Sequence, residues 1–367
     1  MRLRRDGGVT SHNARAPDND SRTPTPPPPH PAERDGRLGD MRPLPPILAA
    51  LLLGLLSVTP AFADDDGFAM KDTRITESSG LAASRQHPGV YWTHNDSDDG
   101  AFLYAVDSKT GETVATITMT GVGTPRDVEA ISIGPDNHLY VGDIGDNLGG
   151  TWAYVWIYEL PEPKELKDQT IKATQYVVKY EDGARDAEAL MVHPKTGRVY
   201  IADKNDQGGS LYEGPAELSA SGTNVFKKIA SVPDLEVTDG AFSPDGKQLA
   251  LRAYFGGILY DWNGGKIKRA ERLSVPLQRQ GESLTFTTDG SKIMYGSEGE
   301  GSSVVARDVP GGGSGNGSSG SSSGDSGSTS AQGDGGETGS GLKVGALALA
   351  GAIVVAWGFK RARRRPS

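Results

Sequence analysis

A unit of about fifty residues that recurs along the chain, short segments rich in Val, Ile, Tyr, Phe and Thr, and Gly, Asp and Pro turns between them predict an all-β domain over residues 67–310. The fold class expected is a single β-propeller of four-stranded blades, because repeats of this period form rings or stacks and each unit offers four strands. Five blades are favoured, and six follow if two units have merged. An apolar stretch at 342–359 adds one C-terminal transmembrane helix to the expectation.

In chain order, residues 1–40 are rich in Pro, Arg and Asp, with too little apolar surface to form a core. Met41 opens a different pattern. Arg42 supplies positive charge, 47–58 is an apolar run, and Ala61-Phe-Ala precedes three aspartates. This is the anatomy of a secretory signal peptide over 41–63, and the run is short for a spanning helix. Met41 is therefore expected to be the true start, with 1–40 an over-extended reading of the gene.

The repeat follows. Its clearest copies are Asp127-Val-Glu-Ala-Ile-Ser-Ile and Asp186-Ala-Glu-Ala-Leu-Met-Val, each leading through a Pro-containing turn to Leu139-Tyr-Val-Gly-Asp or Val199-Tyr-Ile-Ala-Asp. Two further copies begin near Thr238 and Glu282, and the first near Glu77. The second unit shows strands at 128–133, 139–143, 154–160 and 173–180. The last unit is one strand short. The segment 68–75, which has no unit of its own, is placed to supply that missing outer strand and close the ring.

Residues 311–341 are nearly all Gly, Ser, Asp and Thr, a flexible linker with a root-mean-square reach of about 30 Å. The apolar stretch at 342–359 and the basic tail at 360–367 then place the C-terminus in the cytoplasm and the propeller outside. Partners expected are the membrane, through this helix, and an extracellular ligand or protein; a monomer is expected. The absence of cysteine excludes thiol catalysis and cysteine-ligated zinc. A formal charge of −9, carried with two basic ends, excludes nucleic acid as the natural partner and favours cations or basic ligands.

Blade geometry then restricts which residues meet. The start of each first strand and the loop between second and third strands share one face. Aligning the units stacks Ser79, Glu129, Glu188, Thr238 and Glu282 at one mouth of the channel. Two residues earlier stand Glu77, Asp127, Asp186, Glu236 and Gln280, and before these Arg126, Arg185 and Arg279. The second-to-third loops add His94, Asn95, Asp96, Asp143 and Asp203. Such oxygen donors suit calcium, which takes six to eight of them. The metal ligands expected are Glu129, Glu188, Glu282, Asp127, Asp186, Asp143 and Asp203. Arg126, Arg185, Arg279 and His94 are the expected ligand-binding groups. Asp127 with Arg126, and Asp186 with Arg185, are equally placed to be ion pairs between blades. His87, His138 and His193 fall in turns on the other face, so His94 is the one imidazole expected near the acids. Neither a Gly-x-Ser-x-Gly elbow nor a His-Glu-x-x-His motif occurs.

These residues carry a resemblance. Ser243-Pro-Asp-Gly-Lys resembles TolB-type repeats, and the strand-start glutamates with Leu139-Tyr-Val-Gly-Asp resemble gluconolactonase-like and calcium-dependent phytase-like propellers. The whole arrangement resembles surface proteins of high-GC Gram-positive bacteria. The phytase-like resemblance implies calcium-assisted attack on phosphoesters with arginines holding phosphate; the lactonase-like one implies a single metal held by glutamate, asparagine and aspartate. The leading expectation is a surface binding module stabilised by calcium. The alternatives are a calcium-dependent hydrolase of phosphoesters or lactones, and a spacer without a small-molecule site.

Overall fold

A computed structural model describes residues 67–97 and 99–311. The expected N-terminal extension, signal peptide, transmembrane helix, basic tail and all but the first residue of the linker lie outside the described residues. Among those described there is no helix, and hence none long and apolar enough to cross a membrane.

The strands fall into five four-stranded units. A short strand β1 (Gly67–Ala69) precedes the first. Blade 1 holds β2 (Ser78–Ala83), β3 (Val90–Asn95), β4 (Phe102–Asp107) and β5 (Thr113–Thr120). Blade 2 holds β6 (Val128–Ile133), β7 (His138–Asp143), β8 (Val155–Pro161) and β10 (Thr174–Tyr180), while β9 (Gln169–Lys172), which precedes β10 in the chain, adds a fifth strand to the sheet of blade 1. Blade 3 holds β11 (Ala187–Val192), β12 (Val199–Asp203), β13 (Gly209–Glu213) and β14 (Thr223–Val232). Blade 4 holds β15 (Asp239–Phe242), β16 (Gln248–Ala253), β17 (Gly256–Asn263) and β18 (Lys266–Leu273). Blade 5 holds β19 (Leu284–Phe286), β20 (Lys292–Tyr295) and β21 (Ser303–Asp308). Its fourth strand is β1, which pairs antiparallel with β21 through Phe68 opposite Val304. The strand missing from the last unit is thus supplied from the start of the domain.

Five innermost strands pack in sequence, β2 on β6, β6 on β11, β11 on β15, β15 on β19 and β19 back on β2. That closure makes the sheets a propeller. Their composition suits the position. β2 reads Ser-Ser-Gly-Leu-Ala-Ala and is buried throughout, because small side chains are needed where strands converge on an axis. At the periphery, β18 reads Lys-Ile-Lys-Arg-Ala-Glu-Arg-Leu and is mostly exposed. Charge on such an edge discourages pairing with another chain.

The core is layered between blades rather than gathered at a centre. Trp92, Leu103, Ile117, Leu139 and Tyr158 pack blade 1 on blade 2. Equivalent clusters lie between blades 2 and 3, 3 and 4, 4 and 5, and 5 and 1. Burial of each such side chain stabilises by roughly 1.5–3 kcal/mol.

One element differs from the sequence reading. The outer strand expected at 173–180 is present as β10, but a further strand, β9, precedes it. β9 pairs parallel with β5 of blade 1, and β10 pairs parallel with β14 of blade 3 while pairing antiparallel with β8. An outer edge has unpaired backbone groups, and here they find partners on the neighbouring blades.

Candidate functional site

The site grows from bulges. In blade 2 the register of β6 against β7 shifts between Val128 and Ala130, and in blade 3 that of β11 against β12 shifts between Ala187 and Ala189. The extra residues are Glu129 and Glu188. A bulge re-aims the side chain it carries, and here two glutamates leave the alternating pattern of their strands. β2 has an irregularity at the matching place, holding Ser79 and Gly80.

Glu129, Glu188 and Glu282 are brought together, each about 95% buried, with exposures of 4%, 5% and 6%. Burial pushes all three carboxyls up, and they act on one another: Glu188 is the strongest acidic neighbour of Glu129, and Glu282 also contributes. Glu188 is pushed up to about 8 by burial, although Lys204 opposes the shift. Ser79 Oγ donates to Glu129 Oε2 at 2.7 Å across the junction of blades 1 and 2.

Two side chains of this cluster were not singled out from sequence. Lys204 Nζ lies 2.5 Å from Glu188 Oε1 and donates to Tyr254 Oη at 3.0 Å. Tyr254 Oη donates in turn to Glu282 Oε1 at 3.3 Å. Glu282 shares a hydrogen bond with Glu298, which accepts from Gln280 Nε2 at 2.7 Å. Gln280 has a left-handed backbone, φ 49°, uncommon for a residue with a side chain. A chain of polar groups therefore runs from blade 3 through blade 4 to blade 5. The ammonium of Lys204 is held charged by Glu188, Tyr254 and Glu282 despite its burial. A signal for Lys204 existed: it directly follows Asp203 as Asp96 directly follows Asn95, at the end of a second strand.

On the other side of the cluster, Asp96, Asp127 and Glu129 are all buried, and each offers one carboxylate oxygen within 4.8 Å of the others. Blade 1 contributes Asp96 from the loop after β3, and blade 2 the other two. Asn147 Nδ2 donates to Asp127 Oδ2 at 2.7 Å. Gly145 packs directly against them: a Cβ there would lie 2.7 Å from Asp127 Oδ2 and 2.9 Å from Glu129 Cγ, closer than a side chain tolerates. An oxygen-only donor set, mutually repelling in its ionised form, fits a calcium ion.

The remaining expected residues are placed differently. Asp143 is fully buried inside blade 2, where it accepts from the backbone N–H groups of Arg126 (3.1 Å) and Asp127 (3.2 Å) and from Tyr158 Oη (2.6 Å). Asn95 takes this role in blade 1, receiving Thr76 N and Glu77 N at 3.0 Å each, so these two side chains fix the entry of blades 1 and 2. Asp203, at the matching place in blade 3, is also buried but accepts from Ser210 N of the third strand. Arg126 is turned into its own blade, between the rings of Trp152 (4.0 Å) and Trp156 (3.7 Å), with Nε 3.7 Å from Asp143. Arg185 pairs with Asp182 at 2.8 Å and approaches Asp203 at 3.8 Å. Arg279 is exposed. Asp186 is half-buried and its Oδ1 accepts from Asp146 N at 3.0 Å. His94 is 1% exposed, and burial pushes its imidazole down to about 4. A Cβ on Gly80 would come within 2.5 Å of its Nε2 and 2.8 Å of Ile131 N. The ring is enclosed at the junction of blades 1 and 2 and neutral at physiological pH.

No protein-family model matches the chain, and no curated protein matches it. Among solved structures it is similar to a gluconolactonase from Xanthomonas campestris, at 12% identity over 63% of this chain and 72% of that one, with a TM-score of 0.42. It is also similar to a PQQ-bound aldose sugar dehydrogenase from Streptomyces coelicolor, at 11% identity over 65% and 96%, TM-score 0.41. A provisionally assigned 6-phosphogluconolactonase from Bacteroides uniformis matches at 14% identity over 64% and 69%, TM-score 0.38. Likenesses this distant transfer no residue and no activity. The propeller fold rests on the chain's own sheets and their closure.

Proposed function

We propose that the chain is an exported, membrane-anchored propeller whose acidic channel mouth takes up calcium and presents a binding face to an extracellular ligand or protein. One observation carries this reading: the convergence of Asp96, Asp127 and Glu129, from two blades, on one buried point. Three carboxylates brought together out of water favour a cation or protons, since their own repulsion and desolvation oppose ionisation. Calcium, when bound, would supply positive charge that offsets these carboxylates and links blade 1 to blade 2. Export, the single C-terminal span and the cytoplasmic tail are part of the proposal and rest on the ends of the sequence.

A hydrolase of phosphoesters or lactones is the second reading. What favours it is Glu188, a buried carboxyl pushed up to about 8 and so able to exchange a proton near neutrality. Two of the three arginines intended to hold an anionic substrate are instead occupied with Asp143, Asp182 and the two tryptophans. The binding reading is therefore the stronger.

The test is thermal unfolding of the full chain with and without millimolar calcium. A ligand specific to the folded state raises the midpoint. Calcium is expected to raise it, and Asp127→Asn to remove most of the rise. An unchanged midpoint would sink the metal site and the hydrolase with it. A rise accompanied by turnover of a phosphoester or lactone that Glu188→Gln abolishes would favour the second reading.

A further inference from the structure

The channel has a second end, and it is built differently. The first strands begin at the acidic cluster and end at the turns of the opposite face. There a cavity of about 160 Å³ is lined by inner strands of all five blades and the turns that follow them. Leu81, Ile131, Val192, Phe242 and Phe286 give it apolar walls, one from each blade. Arg85, in the turn after β2, is the charged side chain lining it.

The state of Arg85 points to a ligand. Its Nη1 donates to Gly134 O at 2.9 Å, its one hydrogen bond among the described residues. No carboxylate of the described residues lies within 4.0 Å of it, whereas Arg126 and Arg185 both have one. Glu162 and Asp136 favour its charge only from farther away. The guanidinium is half-buried, retains spare donors in a planar fork, and sits at the edge of a space walled by these apolar side chains and by the hydroxyl residues Ser132, Thr285, Thr287 and Thr288. Such a fork matches a carboxylate bidentately. An apolar cavity of about 150 Å³ has room for a benzene ring. We propose that this end of the channel is a binding site for a small organic carboxylate with an apolar body the size of a six-membered ring. The body fills the space between the inner strands and the carboxylate meets Arg85. The site is separate from the acidic mouth, and neither depends on the other.

Benzoate is the probe. Benzyl alcohol (the ring without the charge) and acetate (the charge without the ring) are the controls. Titration of the full chain is followed by methyl NMR at Leu81, Ile131 and Val192 and by the unfolding midpoint. Benzoate is expected to shift these methyls saturably and raise the midpoint. Both controls are expected to bind at least about tenfold more weakly, since each lacks one of the two contacts. Arg85→Gln should weaken benzoate about tenfold or more, and Asp127→Asn should leave it unchanged. Methyl signals that do not move with benzoate would overturn the proposal. So would benzyl alcohol binding as tightly as benzoate, acetate binding as tightly, or benzoate binding undiminished in Arg85→Gln. The methyl map and the two controls need no variant, so a substituted chain that failed to fold would leave the test standing.

Discussion

At the scale of single residues, the acidic mouth is a problem in desolvation. Glu188 and Lys204 have side chains only 6% and 9% exposed. Removing one partner of a buried ion pair strands the other, at a cost of about 3–5 kcal/mol. Lys204→Met should therefore destabilise by about that much, read by urea unfolding above the value of about 8 at which the Glu188 carboxyl ionises. Lys204→Met combined with Glu188→Leu should recover most of it, because replacing both charges by apolar groups is often neutral. Equal losses in the single and double variants would show that the pair does not determine stability here.

The same residues set a pH dependence. Glu188 has an ordinary value of 4.5 and is pushed up to about 8 in the fold. Between these values the native state holds a proton on Glu188 that the unfolded chain has released, so Glu188 makes stability fall as pH rises. Buried His94, pushed from 6.5 down to about 4, acts the opposite way below 6.5, and the window for a net fall is therefore about 6.5 to about 8. Glu129 and Glu282 are pushed in the same direction and add to the slope. Lys204 stays charged in both states over this window and contributes none. Calcium should oppose the fall, since it favours the ionised carboxylates. Chemical denaturation at several pH values, with calcium and with chelator, checks both statements. Stability that rises across the window without calcium would contradict the protonated cluster.

At the scale of elements, blades 1 and 2 are entered through a polar clasp, and every blade is packed on the next through an apolar layer. Asn95, Asp143 and Asp203 end the second strands of their blades. Asn95 and Asp143 receive backbone N–H groups from the segment just before the first strand. In the sequence these side chains look like loop ligands, and their acidity suggests a metal. The clasp role depends on where the chain returns, which only the folded blade shows. Between blades 1 and 2, Trp92 is fully buried, and its Nε1 donates to Glu162 Oε1 at 2.8 Å. Trp92→Ala removes both the packing and this donor. It should cost about 3–5 kcal/mol, measured as a shift of the urea midpoint. A loss below about 1 kcal/mol would mean that the layers are not what holds adjacent blades together.

At the scale of the whole molecule, closure matters most. β1 contributes only Gly67–Ala69, yet it completes blade 5 and joins the start of the domain to its end. Phe68 is 5% exposed and its ring lies 5.3 Å from that of Tyr91 in blade 1. Phe68→Pro would remove that packing and a backbone donor from a paired strand. The expected loss is about 3 kcal/mol or more, with proteolysis appearing first in blade 5 near the closure. Cleavage that begins instead in an interior blade would argue against this seam as the weak point.

Much of this was legible in the residues. The repeat, the strand-rich units and the short last unit foretold a closed ring with an outer strand borrowed from 68–75, because period and alternation are local properties of a chain. The alignment of Glu129, Glu188 and Glu282 at one mouth was legible for the same reason: equivalent positions in repeated units must stack. What the tertiary structure alone decided was pairing. It put Lys204 and Tyr254 among the glutamates, gathered Asp96 with Asp127 and Glu129, turned Arg126 and Arg185 inward, and left Arg85 at the edge of a cavity. Those outcomes depend on side-chain direction and on contacts between blades far apart in the chain, and a one-residue bulge is enough to redirect them.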